Sequence, residues 1–228
     1  MARVVFDALS RTGVDLIGLS FSPARARVTH TVGRGRTDTL SRDGGQSGPM
    51  TELEDVVATV DEQVRPDAAE RERLAAAVDT LTERVERALA ESDIPAEVVA
   101  ATDVLQVGST ARGTWLSGDR DIDLFVRFPS TIDREALETY GLVVGRAVLP
   151  EGHEEYAEHP YVTGTFDGFD VDLVPCYDVD DASKTQSAVD RTPFHNAYLT
   201  ARITDDLARD VRVFKRFLKG VGAYGSNL

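Results

Sequence analysis

An apolar segment that begins with two alternating acids, Asp121–Phe128, places the tightest limit on what this chain can fold into. Successive side chains of a β-strand point to opposite faces, so Asp121 and Asp123 share one face while Ile122 packs behind them. Two nearby carboxylates repel each other, and a hard cation such as Mg²⁺ relieves that repulsion. The segment predicts a strand that carries a metal-binding pair, the alternative being an edge strand with two surface acids.

A short stretch upstream has the residues that bind phosphate. Gly108 and Ser109 leave an apolar segment and enter a predicted short helix. A glycine lets the backbone approach a ligand closely, and a serine hydroxyl beside free N–H groups suits a phosphate. Arg112 follows one helical turn later, with a guanidinium that can grip phosphate oxygens. An ordinary turn is the alternative, but beside the paired acids this stretch fits a metal-bound triphosphate.

A third carboxylate comes from a predicted hairpin. The strands Tyr161–Phe166 and Phe169–Cys176 are joined by Asp167–Gly168, a strong signal for a two-residue turn. Asp170 and Asp172 lie on one face of the second strand, and spacing alone does not decide between them. A third acid beside the first pair is what two-metal phosphoryl transfer requires.

The remaining elements follow from apolar periodicity, and no internal repeat interrupts them. The pattern predicts a short helix through Val56–Val64 ending at Pro66, a long helix over about 67–92, a strand at Val98–Val107, a short helix within Gly108–Leu116, a helix at Asp133–Val148 and a final helix capped by Thr204. Together these elements predict an α+β fold with a mixed or antiparallel sheet of about five strands and flanking helices.

Composition limits the environment of the protein. Acidic residues outnumber basic ones 39 to 25, and only three of the basic residues are lysines. Hydrated carboxylates keep a protein soluble at high salt, where their repulsion is screened, so we expect a halophilic source, with an ordinary acidic enzyme as the alternative. No run of about 18 apolar residues is present, so we expect no membrane span and a cytoplasmic location.

The single cysteine, Cys176, excludes an internal disulfide and a multi-cysteine zinc site. We expect it to be a small buried apolar residue.

Residues 1–49 differ from the rest because they contain seven Arg and four Asp, and the stretch 33–49 is rich in Gly, Arg, Ser and Thr. We interpret 1–49 as a disordered or misassigned extension, or alternatively an RNA-contacting arm, 50–180 as a catalytic domain, and 181–228 as the start of a further helical domain.

Three strings of residues carry a family resemblance: Gly108–Trp115, Asp119–Phe125 and Val171–Tyr177. They closely resemble the archaeal, class I CCA-adding enzymes, which are tRNA nucleotidyltransferases with a polymerase-β-like palm. The resemblance extends over Met50–Leu228 and corresponds to the N-terminal catalytic part of that family. Since family members are much longer, we expect this chain to be a fragment, a truncated gene product or a catalytic palm that stands alone.

The resemblance also implies roles for individual residues. Asp121, Asp123 and Asp172 would be the catalytic metal ligands, and this choice of Asp172 over Asp170 rests on the resemblance alone. The nucleotide would be bound by Gly108, Ser109, Arg112, His195, Lys215 and Tyr224. Ordinary roles remain open for the last three: a helix-capping surface histidine, a lysine that extends into solvent and a core tyrosine.

The implied reaction adds CMP and AMP from CTP and ATP to the 3′ end of tRNA, with Mg²⁺ as cofactor. The expected partner is the tRNA acceptor stem, no membrane is involved, and a homodimer remains open. The alternatives are a nucleotidyltransferase acting on a small substrate and a truncated remnant that binds nucleotide without turnover. For an acidic chain to approach RNA, we expect a local basic rim formed by Arg112, Arg127, Arg191, Lys215 and Arg216.

Overall fold

The computed structural model describes the backbone of residues 49–223 and the side chains of residues 54–223. The predicted extension, residues 1–49, lies outside this part except for Pro49, where the first described helix begins. Tyr224 also lies outside it. None of the helices described is long and apolar enough to cross a membrane.

Helices precede, separate and follow the strands of one sheet. They are α1 (Pro49–Val64), α2 (Ala68–Glu91), α3 (Ala96–Ala100), α4 (Gly108–Ala111), α5 (Arg134–Val148), α6 (Arg191–Thr200) and α7 (Asp205–Gly220). The strands are β1 (Asp103–Val107), β2 (Asp121–Pro129), β3 (His153–Tyr156), β4 (Pro160–Phe166) and β5 (Phe169–Asp178). A 3₁₀ turn, Ala182–Lys184, lies between β5 and α6.

The strands form a mixed five-stranded sheet in the order β1-β2-β5-β4-β3. β2 and β5 are parallel neighbours, and the other pairs are antiparallel. The register of the parallel pair sets Asp121 opposite Asp170 and Asp123 opposite Asp172. The predicted fold class is therefore confirmed, and the two strands that carry the acids are adjacent at the centre of the sheet.

The hairpin between β4 and β5 has the predicted two-residue turn. Asp167 and Gly168 both have positive φ, 49° and 77°, as a turn of the I′ class requires. The turn sets the antiparallel register in which Thr163 lies opposite Asp172. This pairing brings a hydroxyl beside the third carboxylate.

The main core lies on the face of the sheet opposite the acids. Ile122, Val171 and Leu173 are almost fully buried there, against apolar residues of α2 and α5. Two glycines of α5 permit close packing: a Cβ at Gly141 would lie 2.6 Å from Pro175, and one at Gly145 would lie 2.5 Å from Val162. The packing of α5 thus holds β4 and β5 in place behind the acidic face.

A smaller cluster covers part of the acidic face, beyond the carboxylates. It contains Val107, Phe125, Cys176 and Val189. Cys176 is fully buried, as predicted, and its burial raises the pKa of the thiol. This cysteine is therefore a packing residue and not a thiolate nucleophile.

Side-chain caps set the starts of three helices close to the predicted positions. Asp67 caps α2 in a reciprocal capping box with Glu70, and Asp133 accepts a hydrogen bond from the backbone of Ala136 at the start of α5. The predicted cap Thr204 accepts a hydrogen bond from the backbone N–H of Leu207 at the start of α7. Each cap satisfies an N–H group that has no partner within its helix.

Helix α7 is attached to the sheet domain by buried and half-buried polar contacts. Arg212 donates to the carboxylate of Asp61 at 3.1 Å and to the carbonyl of Gly113 at 2.8 Å. Lys219 forms an ion pair with Asp119 at 2.9 Å. These contacts join α7 to α1 and to the loop between α4 and β2, so α7 lies beside the segment that carries Arg112.

Two sequence predictions differ from the structure in their details, and two elements of the structure were not predicted. Residues 98–100 belong to α3 and not to a strand, and β1 begins only at Asp103. The short helix predicted within 108–116 is the four-residue α4. Strand β3 and helix α6 were not predicted, because neither has a clear apolar period in the sequence.

Candidate active site

The carboxylates of β2 and β5 face one cavity of about 240 Å³. Asp121, Asp123, Asp170 and Asp172 line it, together with residues of β3 and β4 that include Thr163. The cavity lies where two parallel strands begin side by side, so each strand contributes an alternating pair of acids. The structure thus places the three predicted metal ligands on one face of the sheet, and Asp170 with them.

Burial, and after it the neighbouring carboxylates, destabilises the charged form of these acids. Burial, followed by the charges of Asp172 and Asp121, raises the pKa of Asp123 to about 6. Burial is also the largest cause that raises the pKa of Asp172, while a hydrogen bond with Thr163 opposes it and the charges of Asp121 and Asp170 reinforce it. Raised carboxyl pKa values mean that a cation in this cavity would be favoured electrostatically.

The donor set fits a hard divalent cation. Oxygen ligands from neighbouring carboxylates are what Mg²⁺ prefers, and Asp123 is 7% exposed, so its charge has little compensation from water. Within the described residues, no group of three His, Cys, Asp or Glu side chains is closely enough arranged to hold a metal ion on its own. Mg²⁺ is usually bound by one or two carboxylates together with water and substrate phosphate, so a preformed cage of three is not required.

Gly108 begins α4 directly beside the carboxylates. Its φ of +81° is in the left-handed region, and a Cβ there would lie 2.0 Å from Oδ2 of Asp123. Ser109 follows it, half-buried, and its carbonyl accepts the backbone N–H of Thr114 at 3.0 Å. The predicted phosphate-binding turn and the predicted metal ligand Asp123 are therefore in contact.

Arg112 follows α4 and lies near the same carboxylate. Its burial lowers the pKa of the guanidinium, and the charge of Asp123 acts in the opposite direction. Its Nη1 donates to Oδ1 of Asn196 on α6 at 3.0 Å. A half-buried arginine held by a neutral acceptor keeps its full charge available to a phosphate.

Lys215 of α7 reaches the same region. Burial lowers the pKa of its ammonium group to about 8, and the charges of Arg112 and Lys219 act in the same direction. The charges of Asp119 and Asp121 oppose them. Lys215 is half-buried among these groups, so the structure groups it with Arg112 and does not direct it outward into solvent.

The roles of two further predicted nucleotide-binding residues stay predictions. His195 is exposed on α6, next to the buried Asn196, and Tyr224 lies outside the described residues.

One residue of the expected basic rim, Arg127, is engaged elsewhere. Arg127 forms ion pairs with Asp103 and Asp178 at the far end of β2, so it is not available to RNA there.

Two residues of the site were not found from the sequence. Thr163 is set beside Asp172 by strand register, and alternation along β4 is the signal that could have indicated its face. Asn196 contacts Arg112 across 84 residues of sequence, and no spacing in the chain predicts that contact.

A family model described as a nucleotidyltransferase domain matches residues 87–195. The match begins near the end of α2 and ends within α6, and it includes the whole sheet. All three predicted metal ligands and both Ser109 and Arg112 lie inside it. The chain therefore contains a nucleotidyltransferase domain.

Sequence relatives define this domain more closely. The chain is 63% identical over 179 residues to a CCA-adding enzyme of Halobacterium salinarum, a match that covers 78% of this chain and 38% of the relative. It is 60% identical over 179 residues to a CCA-adding enzyme of Halorubrum lacusprofundi (78% and 37%) and 44% identical over 178 residues to that of Methanosarcina barkeri (77% and 38%). The chain is thus a homologue of the archaeal CCA-adding enzymes and spans about two fifths of the length of these curated relatives. The two halophilic sources fit its acidic composition.

Solved structures support the fold assignment. The Cid1 poly(U) polymerase with Mg 3′-dATP bound superposes with a TM-score of 0.52 at 18% identity, covering 74% of this chain and 47% of that chain. Escherichia coli MS115-1 CdnC with ATP gives a TM-score of 0.51 at 22% identity, covering 73% and 58%. At these identities the likeness is one of fold.

Proposed function

We propose that this protein adds CMP and AMP, from CTP and ATP, to the 3′ end of a tRNA and releases pyrophosphate. One observation carries the proposal: Asp121, Asp123 and Asp172 face a single cavity that adjoins the Gly108–Ser109 turn, in a chain that is 63% identical to a CCA-adding enzyme. Since the chain spans only part of its relatives' length, reaction, substrates and partner are all proposed.

The proposed role of each residue in the reaction follows from the position of its side chain. Asp121, Asp123 and Asp172 would hold Mg²⁺, which when bound lowers the pKa of a hydroxyl and offsets the charge of a triphosphate. Ser109 and Arg112 would bind phosphate oxygens, and Lys215 would add positive charge on the same side. These contacts would hold the α-phosphate in line with the attacking RNA.

The proposed step is balanced as a phosphoryl transfer. The 3′-hydroxyl oxygen of the RNA forms a bond to the α-phosphorus and releases its proton to solvent water, and the bond from that phosphorus to the bridging oxygen of the β-phosphate breaks. Pyrophosphate leaves with the electron pair. No covalent enzyme intermediate is required, so the chain's contribution is positioning and charge compensation.

The acidic surface limits how tRNA can be recognised. At about 1 M salt the Debye length is roughly 3 Å, so distant carboxylates cost little repulsion, but phosphate contacts are weakened as well. Arg191 and Arg216, both exposed, are the remaining candidates for a basic rim beside Arg112 and Lys215. A cytoplasmic location and a homodimer remain predictions.

The decisive experiment incubates the protein at high KCl with Mg²⁺, labelled nucleotides and a tRNA that lacks its terminal CCA. We expect incorporation of C and A, dependent on tRNA and abolished by Asp121→Asn. A matched control is Asp178→Asn, which changes an exposed acid at the far end of β5.

Other results would point to other functions. Incorporation of UTP or GTP as readily as CTP would indicate a different terminal nucleotidyltransferase. Nucleotide consumption that needs no tRNA would indicate a small substrate. Binding of Mg–CTP without any transfer would indicate that the described part of the site binds nucleotide but does not complete the reaction.

A further inference from the structure

The guanidinium of Arg112 is held by a residue from a distant part of the chain. Its Nη1 donates to Oδ1 of Asn196 at 3.0 Å. Asn196 lies on α6 and is only 8% exposed. A buried amide must have its polar atoms paired, so this contact is a fixed part of the local structure and not a passing surface contact.

The other end of the same amide is also engaged. Nδ2 of Asn196 donates to the carbonyl of Gln106 at 3.4 Å, in β1, two residues before Gly108. The side chain of Gln106 in turn donates to Thr110 Oγ1 on α4 at 3.3 Å. Because the amide nitrogen is directed at a carbonyl, the amide oxygen is the atom left to accept from Arg112.

We propose that Asn196 is a positioning residue that holds Arg112 in the orientation needed to bind the triphosphate of the incoming nucleotide. This inference rests on the proposed function, which assigns the triphosphate to Arg112. Asn196 does not contact the nucleotide in this scheme. It connects α6 to the end of β1 and to Arg112, so α6 and the segment from β1 to Arg112 together form the proposed triphosphate-binding site.

The neutral character of Asn196 is essential to this role. Arg112 lies near Asp123, whose charge attracts it. A neutral acceptor restrains the guanidinium without cancelling its charge, and it occupies one N–H while the others remain for phosphate oxygens. An aspartate at position 196 would also accept the hydrogen bond, but it would neutralise the cation.

A purely structural role makes a different prediction. If Asn196 only ties α6 to β1, its replacement should lower stability and should weaken ligand binding to the same extent whether or not Arg112 is present. If it acts through Arg112, its effect on binding should disappear once Arg112 is removed. A double-mutant cycle separates the two cases.

The experiment measures binding of Mg–CTP and of inorganic tripolyphosphate to the chain by calorimetry at constant salt, with thermal melts in parallel. We expect Asn196→Leu to weaken both about tenfold in the wild-type background, as the loss of a hydrogen bond to a charged group does. In an Arg112→Met background the same change should alter affinity less than about twofold. Asn196→Ala carries the same test if the leucine variant does not fold.

Two further variants complete the design. Gln186→Leu removes an amide contact to the carbonyl of Ser130, away from the cavity, and should leave both affinities unchanged. Asn196→Asp should bind both ligands more weakly than the wild type although it keeps the acceptor. Tight binding by that variant, or an equal loss with and without Arg112, would overturn the inference.

Failure of the proposed function is distinguishable from failure of this inference. A wild-type chain that binds Mg–CTP but transfers nothing to tRNA counts against the proposed reaction and leaves the role of Asn196 to be decided by the cycle. A wild-type chain that binds neither Mg–CTP nor tripolyphosphate overturns both.

Discussion

The backbone of Gly108 packs directly against the carboxylate of Asp123, which leaves no room for a side chain at position 108. A Cβ at position 108 would be 2.0 Å from Oδ2 of Asp123 and 3.1 Å from its Cγ. The turn that begins α4 and the strand that carries the central acid therefore constrain each other. A substrate phosphate at this turn would lie beside a cation held by Asp123.

Gly108→Ala is the sharpest test of that contact. The φ of +81° strains any residue with a side chain, by about 1–2 kcal/mol. The steric clash can be relieved only if the Asp123 carboxylate turns away, and this movement would displace a proposed metal ligand. We expect calorimetry to show Mg–CTP affinity reduced by at least about tenfold, as other misplaced metal-site groups cause.

Gly118→Ala is the matched control for this variant. Gly118 has a nearly identical φ of +84°, and a Cβ there would meet nothing within 4 Å. Both variants should therefore lose the stability that the left-handed backbone costs, and Gly108→Ala should lose in addition what the clash with Asp123 costs. Only Gly108→Ala should lose Mg–CTP binding. Equal binding by both variants would show that the contact with Asp123 has no functional role.

Much of the fold could be predicted because its elements have strong local signals. The alternation of Asp121, Ile122 and Asp123 indicated a one-sided strand, and Asp167–Gly168 indicated the hairpin. The prediction of a strand at 98–107 is wrong at its start, where Val98 and Val99 lie in α3. β-branched residues suit either element when they are buried, so composition could not separate helix from strand there.

Only those parts of the site that lie within a single strand or a single turn could be predicted from the sequence. Spacing placed Asp170 and Asp172 on one face but not their distance from Asp123, which depends on the parallel pairing of β2 and β5. The hydrogen bond of Arg112 with Asn196 depends on how α6 packs, and the position of Lys215 within the electrostatic influence of Arg112 depends on how α7 packs. No local pattern contains that information.

Asp123→Asn should make the protein more stable and less able to bind metal. At neutral pH the ionised Asp123 destabilises the fold, because its pKa of about 6 is higher than the value of 3.8 for an unperturbed aspartate. Removing this charge should raise the unfolding free energy without divalent ions by about 1–3 kcal/mol, since one pKa unit corresponds to about 1.4 kcal/mol. Thermal melts with EDTA measure this gain.

The same melts, repeated with Mg²⁺ and CTP, test the metal site. Ligand binding to the folded state raises the melting temperature of the wild type, and we expect little or no rise for Asp123→Asn. A variant that is less stable than the wild type in EDTA would contradict the destabilisation of ionised Asp123 by burial and by the neighbouring carboxylates. A full ligand-induced rise in the variant would contradict the role of Asp123 as a ligand.

Asp172→Asn and Asp170→Asn should separate the two acids of β5. Asp172 is half-buried, lies opposite Asp123 and accepts a hydrogen bond from Thr163, whereas Asp170 is exposed at the edge of the cavity. We expect Asp172→Asn to lower the rate of nucleotide transfer by at least about 100-fold, and Asp170→Asn to lower it by less than about tenfold. A reversed order of the two effects would assign the third ligand to Asp170.

Lys215 should make triphosphate binding sensitive to mildly alkaline pH. Its pKa is lowered from 10.5 to about 8, so the ammonium charge is present below that value and is lost as the pH rises through it. We expect the affinity for Mg–CTP to fall about tenfold between about pH 7.5 and about pH 9.5, if Lys215 contacts the phosphates. Calorimetry at constant salt in buffers of matched ionisation enthalpy measures this profile.

Lys215→Arg is the control for the pH profile, because a guanidinium stays protonated throughout this range. The variant should bind Mg–CTP with an affinity that changes little between the two pH values, although its absolute affinity is altered by the larger head group. Lys215→Met should bind weakly at both. A wild-type profile as flat as that of the arginine variant would show that Lys215 does not contribute its charge to the bound nucleotide, and α7 would then serve the site only through the contacts of Arg212 and Lys219.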